Sequence, residues 1–136
     1  VDDNPASITR EQMESWVGEN LIVWPGHAVA KPWLSQSHIF VLPSYREGIP
    51  RSTQEAMALG RAIITTDAPG CKETVIQGRN GFMVPPRDCE SLAKAMRHFI
   101  ENPEDIAKMG EQSRKLACER FDVHVQNDKI LKLMGL

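Results

Sequence analysis

The chain has 136 residues, with 16 lysines and arginines against 18 aspartates and glutamates and a net charge of −2 at pH 7. That length suits one domain around a single sheet, and that charge excludes the broad basic field that nucleic acid or an anionic membrane surface requires. Cys71, Cys89 and Cys118 form no C-x-x-C pair and have no histidine at zinc spacing, which excludes a zinc module and points to reduced thiols.

In chain order, Thr9 to Gln12 forms a T-x-x-Q capping box, and Met13, Trp16 and Val17 recur at helical spacing. The pattern predicts a helix from about Thr9 to Val17. LIVW at 21–24, closed by Pro25 and Gly26, predicts a short buried strand, and IFVLP at 39–43 predicts a second. KPWLSQSH between them leaves room for a short helix. RSTQEAMALG predicts a helix with Pro50 at its start and Gly60 at its stop. AIITT at 62–66, rich in β-branched residues, is expected as a third strand, and GFMV at 81–84, ended by Pro85 and Pro86, as a fourth. Leu92, Ala95, Met96 and Phe99 then mark a helix. PEDIAKMGEQSRKLACERF and VHVQNDKILKLMGL mark two more, with Leu116, Phe121, Ile130 and Leu133 as packing positions. This alternation predicts an α/β fold: an open, mainly parallel, Rossmann-like sheet with flanking helices. No run approaches the roughly 18 to 20 apolar residues of a membrane span. VDDNPASITR is acidic and polar, unlike a secretion leader, so a cytoplasmic protein is expected. The polar start at Val1 reads as a piece of something longer.

The segment YREGIPRSTQEAMALG, Tyr45 to Gly60, carries the chemistry. In open α/β sheets, ligands sit beyond the carboxyl ends of the strands, and Glu47 falls in the loop leaving the second predicted strand. The helix after it offers its first amides, from about Arg51 to Thr53, and the positive end of its dipole to phosphate oxygens. Gly48 lets a ligand approach the backbone closely. Glu55, about a turn further in, leans back toward the same cleft. Two carboxylates beside an anion seat would repel phosphate unless each has another task, and accepting hydrogen bonds from sugar hydroxyls is such a task. A ribose at one carboxylate and a second sugar at the other, joined by a diphosphate, make a nucleotide diphosphate sugar. Glutamates at this spacing also arise by chance as solvated surface groups.

The block FVLPSYREGIPRSTQEAMALGRAIITTDAPGCKETVIQGRNGFMVPPRD, Phe40 to Asp88, contains an E-x7-E element at Glu47 and Glu55. It resembles the donor half of retaining glycosyltransferases of the GT-B fold, in the large family four of hexosyltransferases. WPGH at 24–27 looks like that family's strand and Gly-His turn, and VDDNPASI at 1–8 is similar to the stretch before it. The resemblance implies that residues 1–136 are a partial C-terminal, nucleotide-sugar-binding domain. The N-terminal acceptor domain and the first βαβ unit, with basic residues that neutralise the donor diphosphate, would be absent. It also implies transfer of a hexose from a nucleotide diphosphate sugar with retention, in polysaccharide or glycan biosynthesis, without metal or cofactor.

By the same resemblance, Glu47 is catalytic: it binds donor-sugar hydroxyls and stabilises the charged transition state. Glu55 accepts from the ribose hydroxyls. Gly48, Ile49, Arg51 and Ser52 offer backbone amides, since Pro50 has none. Arg46 and Thr53 are further donor-binding candidates, and Gly26 and His27 lie near the nucleotide. The partners implied are the nucleotide-sugar donor and a saccharide or lipid-linked acceptor held by the missing domain, with no nucleic acid. The full-length protein would be cytoplasmic or peripheral at the inner membrane face. The family's missing strands would lie between LIVW and the other three, so the sheet would close up, self-associate with another chain, or be unstable. Some positions depart from the pattern. AVAKP follows the Gly-His turn where an acidic residue is common, and His38 stands where an aspartate commonly precedes the strand. Ser52, Thr53 and Gln54 replace residues that are often apolar, so either the helix is more exposed or Thr53 points into the site. The rival reading is a non-catalytic nucleotide- or phosphate-binding α/β module.

Overall fold

AIITT forms the middle of the molecule. In the computed structural model, which describes residues 8–135, the elements are α1 (Arg10–Gly18), α2 (Ala30–Gln36), β1 (Ile39–Leu42), α3 (Arg51–Ala58), β2 (Ala62–Thr66), β3 (Gly81–Val84), α4 (Cys89–Glu101), α5 (Glu104–Phe121) and α6 (Val123–Leu133). Residues 1–7 of the VDDNPASI stretch lie outside the described residues. The strands form one parallel sheet in the order β1-β2-β3, with Phe40 opposite Ile63 and Ile64 opposite Phe82. Every residue of β2 is buried, as a central strand covered on both faces must be. Its period of two divides the core. Ile63 packs with Leu34, Met57, Val75 and Leu116, while Ala62 and Ile64 pack with Val84, Phe99 and Met109.

Local chemistry sets the helix ends. The Thr9 hydroxyl accepts from the Gln12 amide at 3.2 Å and starts α1, the bond its capping motif predicts. Past the end of α3, Gly60 takes a left-handed φ of +69°, and the Arg61 amide donates back to the Ala56 carbonyl at 3.0 Å. Between β2 and β3 there is only a single 3-10 turn, Lys72–Thr74. Asn80 closes that connection from inside. Its side chain is fully buried, accepts from the Ile76 amide at 2.7 Å and donates to the Thr74 carbonyl at 3.0 Å.

Two expectations are corrected. LIVW at 21–24 is not a strand: it joins no ladder among the described residues, and Leu21, Val23 and Trp24 are exposed. An apolar run becomes a parallel strand only where a neighbour takes its backbone bonds and helices cover it, and among the described residues β1 pairs only with β2. The sheet therefore has three strands where four were expected. The second correction concerns α6, which buries none of its residues. Leu116 is a core residue, but Ile130 and Leu133 are 53% and 88% exposed and are not packing positions within the described residues.

Candidate functional site

The loop after β1 is held in place by the exit of β2. Thr65 Oγ1 donates to the Leu42 carbonyl at 2.9 Å, and Thr66 Oγ1 donates to the Ser44 carbonyl. Two residues beyond the strand, Ala68 is buried, and the Glu47 amide donates to the Pro69 carbonyl at 3.1 Å. Gly70, at φ +80°, packs so closely that a Cβ there would lie 1.7 Å from the Gly48 carbonyl oxygen. The backbone of Glu47 and Gly48 thus rests against the Pro69–Gly70 turn, and only glycine fits at that contact. Above this support Glu47 is exposed, and the Ser44 hydroxyl donates to its Oε1 at 2.7 Å. Arg46 and Ile49 are exposed beside it. A Cβ at Gly48 would meet nothing within 4 Å, so the backbone there is open to a ligand.

Pro50 then leads into α3. No side chain caps the helix, and its first turn holds no acidic residue. The first intrahelical bond runs from the Gln54 amide to the Pro50 carbonyl at 3.2 Å, so the amides of Arg51, Ser52 and Thr53 precede the ladder. Uncapped amides at the positive end of a helix form an anion seat. Arg51 and Ser52 are exposed. Thr53 faces inward, fully buried, and its hydroxyl has no partner among the described residues. The Ile49 carbonyl, four residues back and a natural acceptor for it, is taken by Gln54 Nε2 at 3.2 Å.

Glu55 lies one turn on. Its Oε1 accepts from Arg51 Nε at 3.1 Å, with the arginine side chain 91% exposed. A solvated pair of this kind adds little stability, so the carboxylate is available to other donors. It lines a cleft of about 440 Å³ between α2 and α3, with Val29, Ala30, Lys31, Leu34, Ala58 and Leu59. Gly26, at φ +66°, and His27 make an exposed turn that leads to Val29 at the rim of this cleft. The structure therefore groups Glu55 with the segment that follows the Gly-His turn. Glu47 is not among the residues lining that cleft; it stands at the other end of the same short segment, beside the β2 exit. Among the described residues, no three His, Cys, Asp or Glu side chains gather as a metal site.

Three neighbours of the Glu47 loop went unread in the sequence: Ser44, Thr66 and Gly70. Pro69-Gly70 is a turn signal, but a turn signal does not say what the turn packs against.

A parallel sheet flanked by helices, with a glutamate-bearing loop leading from β1 into α3, defines the class: an α/β domain of Rossmann-like architecture. Residues 2–102 match the family described as Glycosyl transferases group 1, and the chain belongs to that family. It is similar to a putative colanic acid biosynthesis glycosyltransferase, WcaL, of Salmonella typhimurium, with 29% identity over 92% of this chain and 33% of the relative. It is also similar to an N-acetylgalactosaminyltransferase of Campylobacter jejuni acting on an undecaprenol-diphosphate-linked sugar, with 30% identity over 74% of this chain and 26% of the relative. Its fold is that of GT-B glycosyltransferases. HepE of Anabaena, solved with UDP, superimposes with a TM-score of 0.83 and 26% identity, covering 92% of this chain and 35% of that one. The C-terminal domain of LpcC, a group 1 glycosyl transferase of Francisella tularensis, superimposes with a TM-score of 0.69 and 23% identity, covering 84% and 62%. The chain spans about a quarter to a third of the length of the curated relatives it matches.

Proposed function

We propose that this chain is the donor-binding part of a sugar-nucleotide-dependent glycosyltransferase of polysaccharide or glycan biosynthesis, one that transfers a hexose with retention. The observation that carries the reading is the loop and helix from Ser44 to Glu55: a fixed Glu47, an open Gly48 backbone and three unladdered amides, with Glu55 one turn on. In this reading the amides of Gly48, Ile49, Arg51 and Ser52 hold the diphosphate, with Arg46 near enough in sequence to add charge. Glu55 accepts from the ribose hydroxyls in the cleft below the Gly26–His27 turn, whose apolar walls suit a flat base. Glu47 accepts from hydroxyls of the donor sugar. Its negative charge stabilises the oxocarbenium-like transition state as the diphosphate leaves toward the helix terminus. No metal is required in this scheme, because the helix end and basic side chains carry the phosphate charge. Thr53 is buried throughout, so it supports the start of α3 from inside and makes no direct contact with the donor. The UDP and UDP-glucose held by HepE support a nucleotide-sugar donor here. An acceptor site, saccharide or lipid-linked, belongs to a further domain, together with the βαβ unit that would complete the sheet.

Titration of the purified chain with UDP, UDP-glucose, GDP and GDP-mannose tests the reading. Each glutamate-to-alanine change is expected to weaken binding of a conjugate about tenfold, as the loss of hydrogen bonds to a charged acceptor does. Glu55→Ala is also expected to weaken the parent nucleotide, and Glu47→Ala to spare it. Unchanged affinity in both variants removes the donor-site assignment. A chain that binds nucleotides and conjugates alike, indifferent to Glu47, is the non-catalytic binding module instead.

A further inference from the structure

We infer that Ser44 is a positioning residue for the Glu47 carboxylate, a role that rests on the donor reading above. The hydroxyl of Ser44 donates to Glu47 Oε1 at 2.7 Å, a charge-assisted geometry. Ser44 is itself fixed from the far side, because its carbonyl accepts from the buried Thr66 hydroxyl at the end of β2. The Glu47 backbone is fixed independently through the Pro69 carbonyl and the Gly70 contact. Two separate ties from the same strand exit therefore set both the main chain and the side chain of one exposed glutamate. An exposed glutamate has three free torsions and loses rotamer entropy when it is ordered. A ligand that needs this carboxylate at one position meets it already placed. One oxygen, Oε1, is occupied by Ser44, which leaves Oε2 and the remaining lone pairs for sugar hydroxyls. The β2 exit thus acts on the sugar end of the donor, and the helix terminus on the phosphate end.

The consequence is selective. Removing the Ser44 hydroxyl loosens recognition of the sugar without touching the nucleotide, a pattern that general damage to the fold does not produce. The experiment titrates wild type, Ser44→Ala, Ser44→Thr, Glu47→Ala and the Ser44→Ala/Glu47→Ala double variant with two pairs of probes, UDP with UDP-glucose and GDP with GDP-mannose. Ser44→Ala is expected to weaken the conjugate about fivefold to tenfold, the worth of one charge-assisted hydrogen bond, and to leave the parent nucleotide unchanged. Ser44→Thr, which keeps a hydroxyl, is expected to restore the conjugate. The double variant is expected to lose no more than Glu47→Ala alone, because the serine acts through the glutamate. If Ser44→Ala fails to fold, Ser44→Cys, with its weak donor, carries the same comparison. A conjugate that binds Ser44→Ala as tightly as wild type, while Glu47→Ala loses it, overturns the positioning role alone. Wild-type affinity in Glu47→Ala, or a wild-type chain that binds neither pair, overturns the donor reading and the role with it.

Discussion

Gly70 shows how a single position can hold a site it never touches. Its φ is +80°, and a Cβ there would sit 1.7 Å from the Gly48 carbonyl oxygen and 2.3 Å from that of Glu47. Gly70→Ala therefore meets both backbone strain and a clash with main chain that cannot rotate away. It is expected to cost about 2 kcal/mol or more in urea unfolding and to weaken nucleotide-sugar binding with it. A variant of wild-type stability would show that the Glu47 loop yields without cost. Among single residues the sequence was readable in part. Glu47, Glu55, Gly48 and the amide run of Arg51 to Thr53 stood out because their meaning is local: a loop, a turn and a helix start. Ser44, Thr66 and Asn80 did not, because their meaning lies in partners far along the chain. Thr66 meets Ser44 across 22 positions, and Asn80 accepts at its carbonyl from Ser113 across 33.

The elements divide along the same line. AIITT and LIVW are both short apolar runs closed by turn residues, yet only AIITT is a strand, with β1 on one side and β3 on the other. Hydrophobic pattern registers the wish for burial, not the presence of a neighbour to pair with. The start of α1 was legible because its cap at Thr9 is a local bond, whereas the cap of α4 at Asp88 went unread. The Asp88 side chain accepts at the head of α4 from the Ser91 hydroxyl at 2.6 Å and the Ser91 amide at 2.9 Å. Those two bonds, the hydroxyl first, hold its carboxyl below the ordinary aspartate value. Asp105 at the start of α5 is lowered likewise, chiefly by the hydrogen bond from His98 at 2.9 Å. A carboxyl lowered in the folded state contributes stability that is complete above its unfolded value of about 3.9 and is lost as pH falls through the lowered folded value. Asp88→Asn is expected to melt earlier than wild type near neutral pH, and the gap should close as the solution is taken from the ordinary aspartate range down through the lowered folded value. Melting curves across that range measure it, and a gap that stays constant would show that the cap acts without its charge.

Across the molecule, three parallel strands and their helices place the loop after β1 beside the exit of β2 and leave Arg51 and Ser52 exposed at the start of α3. The chain covers 33% of WcaL and 35% of HepE, and the proposed acceptor site belongs to the remainder. The purified chain is accordingly expected to bind donor without transferring sugar, and release of free nucleoside diphosphate from UDP-glucose in its presence would refute that division of labour. The apolar side chains left exposed on α6 and around Leu21 to Trp24 mark the parts of this chain least explained by its own core. Phosphate, ribose and sugar are proposed to meet between Gly26 and Glu55, and amide NMR of the chain reads that placement residue by residue. On addition of UDP-glucose, shifts are expected at Gly48, Ile49, Arg51 and Ser52, with smaller ones at Gly26, His27 and Glu55. Shifts confined to other surfaces, such as the groove of Phe82, Lys94 and His98 between β3 and α4, would overturn it.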